Sequence, residues 1–177
     1  MYCQSKSNLR PINLINRNQL YLLEKFINNN YQSNIAYLPN GETDLHQAVY
    51  RANDIVVRYL LEHGWNPNQK DKNQRTPLHY TGLMDIKSFV NIIQLLCDYG
   101  ANINELDLQH NTPLNSFILV SKYFRPYYIE QCEELIYRDI IIRYLWCFLA
   151  YKADINISNV FGNSPLEVVQ IQLISFF

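Results

Sequence analysis

The residues of this 177-residue chain best suited to metal or nucleophilic chemistry are four histidines and four cysteines: His46, His63, His79, His110, Cys3, Cys97, Cys132 and Cys147. A zinc site needs such ligands to converge at bonds of about 2 Å. A thiol nucleophile needs surroundings that favour thiolate and a nearby base. The spacing supplies neither. No two cysteines form a C-x-x-C pair. Cys97 and Cys147 fall in apolar helical stretches, where a buried, inert thiol is expected, and Cys132 has no histidine near it in sequence. Glu133 and Glu134 are adjacent on a predicted helix, so their side chains do not face each other. They read as a solvated face and not as an acid/base couple. The five glycines form no run that would cradle a phosphate. The sequence therefore predicts no catalytic residues, no metal and no cofactor.

What organises these residues is an internal repeat. Thr43-Asp44-Leu45-His46 leads to Leu60-Leu61-Glu62-His63-Gly64. Thr76-Pro77-Leu78-His79 leads to Leu95-Leu96-Cys97-Asp98-Tyr99-Gly100-Ala101. Thr112-Pro113-Leu114-Asn115 leads to Phe148-Leu149-Ala150-Tyr151-Lys152-Ala153, and a further start stands at Ser164-Pro165-Leu166-Glu167. Thr is a good helix N-cap, and Pro at the next position loses an N–H that has no partner there. Asp54 to Leu61 carries the i, i+3, i+4 apolar spacing of a helix with one buried stripe. Gly64 and Gly100 stand where a helix closes in the left-handed conformation.

These motifs and the 33-residue step from Thr43 to Thr76 resemble the ankyrin repeat family. The resemblance implies an all-α solenoid of helix-turn-helix units with projecting turns. It makes His46 and His79 structural, bonded to the backbone of neighbouring loops. It divides the chain into a degenerate capping repeat (10–42, opening at Arg10-Pro11-Ile12-Asn13), repeats over 43–75 and 76–111, a repeat with a long insertion over 112–163, and a partial repeat over 164–177. Stacked units hold their histidines about 10 Å apart, which again argues against one metal site. Gln74 and His110 occupy turn positions where the family prefers glycine, and Lys152 replaces a helix-ending glycine. Positive φ strains these residues, so their turns are expected to deviate.

Two insertions interrupt the register. The repeat from Thr76 is three residues long, around Gly82 to Ser88. In the next, Tyr123-Phe124-Arg125-Pro126-Tyr127-Tyr128 reads as a connector, and a lengthened second helix is expected from Ile129 to Tyr151. The last segment, Ser164 to Phe177, is apolar to its final residue and supplies one helix without a second. It reads as a truncated unit, as a self-capping tail, or as a seat for another chain, a second copy included.

Composition narrows the function. Hydrophobic residues make up 48% and aromatics 14%, enough for a core in one domain. A net charge of −1 excludes the basic excess of a nucleic-acid or polybasic membrane binder. The N-terminus lacks the apolar core of a signal peptide, and scattered thiols suit a reducing compartment. An intracellular protein is expected, in cytoplasm or nucleus, a host cell's included. Abundant Asn, Ile and Tyr have AT-rich codons, which bears on origin alone.

The resemblance also implies where a protein partner would bind: on a concave surface of turn tips and first-helix faces. By register that surface takes Tyr50 and Arg51, with Pro39, Asn40 and Glu42 at a tip. It continues through Lys72, Asn73 and Arg75, through Leu83 and Met84 near a helix end, and through Leu108, Gln109 and Asn111. Trp65 reads equally as an anchor and as packing. Tyr123, Phe124, Arg125, Tyr127 and Tyr128 have the composition of binding hot spots, or pack over the lengthened helix. The expected function is protein binding; an adaptor or effector redirecting a host pathway, or a fragment docking through its C-terminal end, are the alternatives.

Overall fold

The computed structural model describes residues 38–81, 86–119 and 134–174. Residues 10–37 of the capping repeat, Leu83, Met84, Tyr123 to Tyr128, Cys3 and Cys132 lie outside them, as does the start of the long helix. The described residues contain helices α1 (Asp44–Tyr50) and α2 (Asp54–Glu62), a 3-10 turn (Pro77–Tyr80), and helix α3 (Ile86–Asp98). Helix α4 follows (residues 113–119), then α5 (Glu134–Ala150) and α6 (Pro165–Ile174). No strand occurs among the described residues.

Each unit opens on a buried hydroxyl residue: Thr43, Thr76, Thr112 or Ser164. In the first two, the histidine three residues on completes a capping box, Nδ1 accepting the threonine N–H at 3.1 Å. Glu167 closes the last box, accepting from Ser164 N–H at 2.7 Å. The unit from Thr76 departs from its expected first helix. It closes as a single 3-10 turn, ending where Thr81 turns extended (φ −65°, ψ 140°) and donates Oγ1–H to Leu78 O at 2.8 Å.

The helix ends repeat one geometry. Trp65 N–H donates to Leu60 O (3.1 Å), Ala101 N–H to Leu96 O (2.9 Å) and Ala153 N–H to Phe148 O (3.0 Å). These six-to-one bonds require a left-handed residue just before them. Gly64 and Gly100 supply it at φ 84° and 85°, and Lys152 at φ 63°. Gln74 and His110 likewise reach φ 60° and 58°, beside Gly41 and Gly162 at 77°. The expected deviations at these three residues are therefore corrected. The turn is kept and the side chain takes the strain, because the backbone bonds on either side fix it.

The core runs between the helix layers. Leu45, Ala48 and Val49 of α1 meet Val56, Val57, Leu60 and Leu61 of α2, and Phe89, Ile92, Ile93 and Leu96 of α3 continue the same layer. Toward α5 it becomes aromatic: Phe117 and Tyr144 stack with centroids 3.8 Å apart at 4°, and Phe148 packs 6.5 Å from both.

Candidate protein-binding surface

The connections between units project as tight turns, and three of the four described ones are built by one carboxylate or amide oxygen; the first has Leu38 in that place. Asp71 Oδ1 accepts the N–H groups of Asn73 and Arg75, both at 2.8 Å. Asp107 Oδ1 accepts those of Gln109 and Asn111 at 2.8 Å, and Asn159 Oδ1 those of Phe161 and Asn163 at 3.0 and 3.1 Å. A side-chain oxygen that replaces water at two N–H groups, two and four residues on, fixes the turn without a partner strand.

Neighbouring tips are joined by one main-chain hydrogen bond each. Lys72 N–H donates to Asn40 O (2.8 Å), Leu108 N–H to Asn73 O (2.9 Å) and Val160 N–H to Gln109 O (3.0 Å). Beneath the tips a geometry repeated from unit to unit passes through side chains. His46 Nε2 lies 3.1 Å from Arg75 O, and His79 Nε2 lies 3.1 Å from Asn111 O. Since Nδ1 accepts the threonine N–H, Nε2 carries the proton and donates across units. Burial lowers the pKa of both imidazoles, outweighing the bonded carbonyl and nearby carboxylates that raise it. Asn115 replaces the third histidine and reaches Ile157 O and Asn163 O through Nδ2 at 3.2 and 3.3 Å.

A buried polar cluster locks the first two described tips. The Tyr80 hydroxyl lies 2.8 Å from Asp71 Oδ2 and 3.0 Å from Glu42 Oε1. Arg75 reaches Asp71 through Nε and Nη2, donates to the Tyr80 oxygen at 2.9 Å, and sits 4.8 Å over its ring. Gln47 donates to the other Glu42 oxygen. Burial alone would raise the Asp71 carboxyl, but the Arg75 N–H, the Tyr80 hydroxyl and the Arg75 charge hold it below its usual range. Burial is also the main reason the Tyr80 phenol is pushed well above its ordinary value, with Asp71 adding to it.

The sequence-derived candidates divide on this frame. Arg51, Lys72, Asn73, Leu108 and Gln109 are exposed along the tip row or at the end of α1, as are Pro39 and Asn40. Tyr50 is half-buried, and Arg75 is half-buried and pinned by Asp71. Of the two readings of Trp65 the structure gives packing: it is buried in the core. Two residues are corrected. Glu42 is buried against Tyr80. Asn111 is buried as the foot of its turn, bonded to Asp107 and to Asn159 Nδ2 at 2.9 Å. Two exposed apolar tip residues were missed in sequence: Val160 and Phe161, the latter 72% exposed, beside Leu108 at 61%. They hold the positions of Leu108 and Gln109 one unit on. Carrying the register across the long insertion would have found them.

The remaining titratable groups build no second site. Among the described residues no three His, Cys, Asp or Glu side chains gather as a metal-ligand group. Burial pushes the Cys97 thiol up to about 12 and the Cys147 thiol to about 11, away from thiolate at neutral pH. Among the described residues no helix is long and apolar enough to cross a membrane.

Stacked helix pairs, left-handed helix ends and bonded projecting turns define a helical repeat solenoid. A family model for three copies of the ankyrin repeat matches residues 13–107. The chain belongs to the ankyrin repeat family, whose repeats are generally non-enzymatic modules of protein–protein interaction. A putative ankyrin repeat protein of fowlpox virus is 33% identical over 123 residues, covering 67% of this chain and 36% of the relative. One from Rickettsia felis is 37% identical over 84 residues, 45% of this chain and 37% of the relative. One from Acanthamoeba polyphaga mimivirus is 27% identical over 157 residues, 67% of this chain and 20% of the relative. The chain thus spans little more than a third of these relatives at most.

Proposed function

We infer that the chain binds a partner protein across its row of turn tips and the adjoining first-helix face. The supporting observation is the tip row itself, held at fixed spacing by one main-chain bond per step and carrying exposed Leu108, Val160 and Phe161 beside Lys72, Asn73 and Gln109. A surface ordered before binding loses little entropy on contact. Arg51 and Tyr50 extend the surface along α1, and both residue types are enriched at interface anchors. The repeat boundaries proposed are 43–75, 76–111 and 112–163, which give each tip the same place in its unit. An intracellular setting, cytoplasmic or nuclear, suits the thiols. The poxviral, rickettsial and mimiviral relatives favour, as a second reading, an adaptor that acts on a host pathway.

The test is affinity capture with the wild-type chain and a Leu108→Ser/Phe161→Ser variant, both checked for unchanged helicity. Proteins retained by the wild type and lost by the variant support the tip surface. Equal capture by both overturns it.

A further inference from the structure

The unit openings are not all capped alike. In the first two, one imidazole makes both the cap and the link to the next unit. His46 and His79 accept the threonine N–H at Nδ1, 3.1 Å away in each, and lie 2.9 Å from its Oγ1. Through Nε2 they reach Arg75 O and Asn111 O, the carbonyl just before the next opening. At Ser164 the cap is made by Glu167 from the same position. The opening at Thr112 has Asn115 there, a shorter side chain. Its Nδ2 keeps the link, donating at 3.3 Å to Asn163 O, the carbonyl equivalent to Arg75 O and Asn111 O, and at 3.2 Å to Ile157 O. Two carbonyl oxygens need a donor, so the amide nitrogen is assigned to that side and Oδ1 is turned from it.

The shorter side chain gives up the cap. Asn115 N–H still donates to Thr112 Oγ1 at 3.1 Å. Asn115 Oδ1 has no hydrogen-bond partner among the described residues, and no acceptor among them takes the Thr112 N–H. Both residues are 1% exposed, so bulk water does not reach them. Buried polar groups are nearly always bonded, and here a donor and an acceptor are left over within one turn. A single small group that accepts from one and donates to the other satisfies both. Histidine exceeds asparagine by two ring atoms, about the room of one water molecule.

We propose that the first turn of the unit from Thr112 is a binding site for one buried water molecule, which accepts the Thr112 N–H and donates to Asn115 Oδ1. The water takes over the capping bond that imidazole Nδ1 makes directly in the two units before it. The Thr112 hydroxyl belongs to the same turn. Its oxygen already accepts from Asn115, so its proton supplies a third bond, the usual complement of a buried water.

Rotating-frame NMR cross-relaxation between water and the amides of the isotope-labelled 177-residue chain tests this. A peak at the water frequency, with the sign of direct contact, is expected at the Thr112 amide and at neither Thr43 nor Thr76. Those two amides also sit beside a threonine hydroxyl, so they control for hydroxyl protons that relay exchange with solvent. Asn115→His is expected to remove the Thr112 peak and to raise the melting temperature by about 2–4 °C, the effect of one restored N-cap bond in a chain of this size. No peak at Thr112, equal peaks at all three amides, or a peak kept in Asn115→His overturns the proposal. A lower melting temperature in that variant overturns it as well, since the ring then lacks the room assigned to the water.

Discussion

Lowering the pH from 7.5 to 5 should destabilise the fold through His46 and His79, and the structure sets the sign and size. Both imidazoles are buried and neutral, with Nδ1 accepting a threonine N–H and Nε2–H donating to a carbonyl of the next unit. Protonating Nδ1 would turn that acceptor into a donor facing an N–H. Burial sets both folded pKa values below the ordinary histidine value of about 6.5. The unfolded chain therefore takes up these protons first. Their stability contribution is complete above about pH 6.5 and is lost as pH falls below it, until the folded pKa is reached. Each histidine gives a limiting slope of about 1.4 kcal/mol per pH unit, so the pair gives up to about 2.7. Asp71 works in the same sense, losing its contribution as pH falls, but its lowered pKa places that loss near and below pH 3.8, outside this window. Urea unfolding at half-unit pH steps measures the slope. His46→Asn and His79→Asn should each remove about one proton's worth of it, Asn being the residue that bridges the same gap at position 115. A free energy flat between pH 6.5 and 5, or a slope unchanged in the double variant, would refute the reasoning.

Replacing Gln74, His110 and Lys152 by glycine should each raise stability by about 0.5–1 kcal/mol, the left-handed strain less the entropy of glycine; a lower melting temperature in all three would contradict the assignment. Tyr80→Phe removes the hydroxyl between Asp71 and Glu42 and should cost about 1–3 kcal/mol in urea unfolding. Cys97 and Cys147 should react with a disulfide reagent at pH 8 far more slowly in the folded chain than in denaturant, since burial raises both thiols; equal rates would show them to be accessible thiolates.

Most of the fold was readable because its signals are local. Thr43 and His46, or Thr76 and His79, are three residues apart and cap one another, so sequence spacing records the contact. The position of Lys152 was readable and its conformation was not, because the bonds that force φ 63° come from the surrounding turn. The first helix expected after Thr76 shrank to one 3-10 turn, a choice made by Thr81 at its far end. Tyr80 and Glu42 are 38 residues apart and meet only because two units stack; neither belongs to the repeat motif. Trp65 was ambiguous in sequence, since the same indole would suit a surface anchor, and stacking of the units took it into the core. The tip residues Val160 and Phe161 were hidden by a change of step in the register and not by any lack of pattern.

The two edges of the stack are joined by different groups. At the tips each step is a main-chain bond between turns that are themselves internally fixed. At the far edge the steps are made by side-chain amides: Asn68 spans to Gly100 O and Asn102 N–H, and Asn104 to Lys152 O and Asp154 N–H. Amide rotors tolerate a change of distance or angle that a main-chain link does not. Under load the molecule should therefore bend as a strip with one inextensible rail, changing curvature at the compliant edge. The interval between successive tips, about one unit's width, would stay constant like the marks on a steel tape.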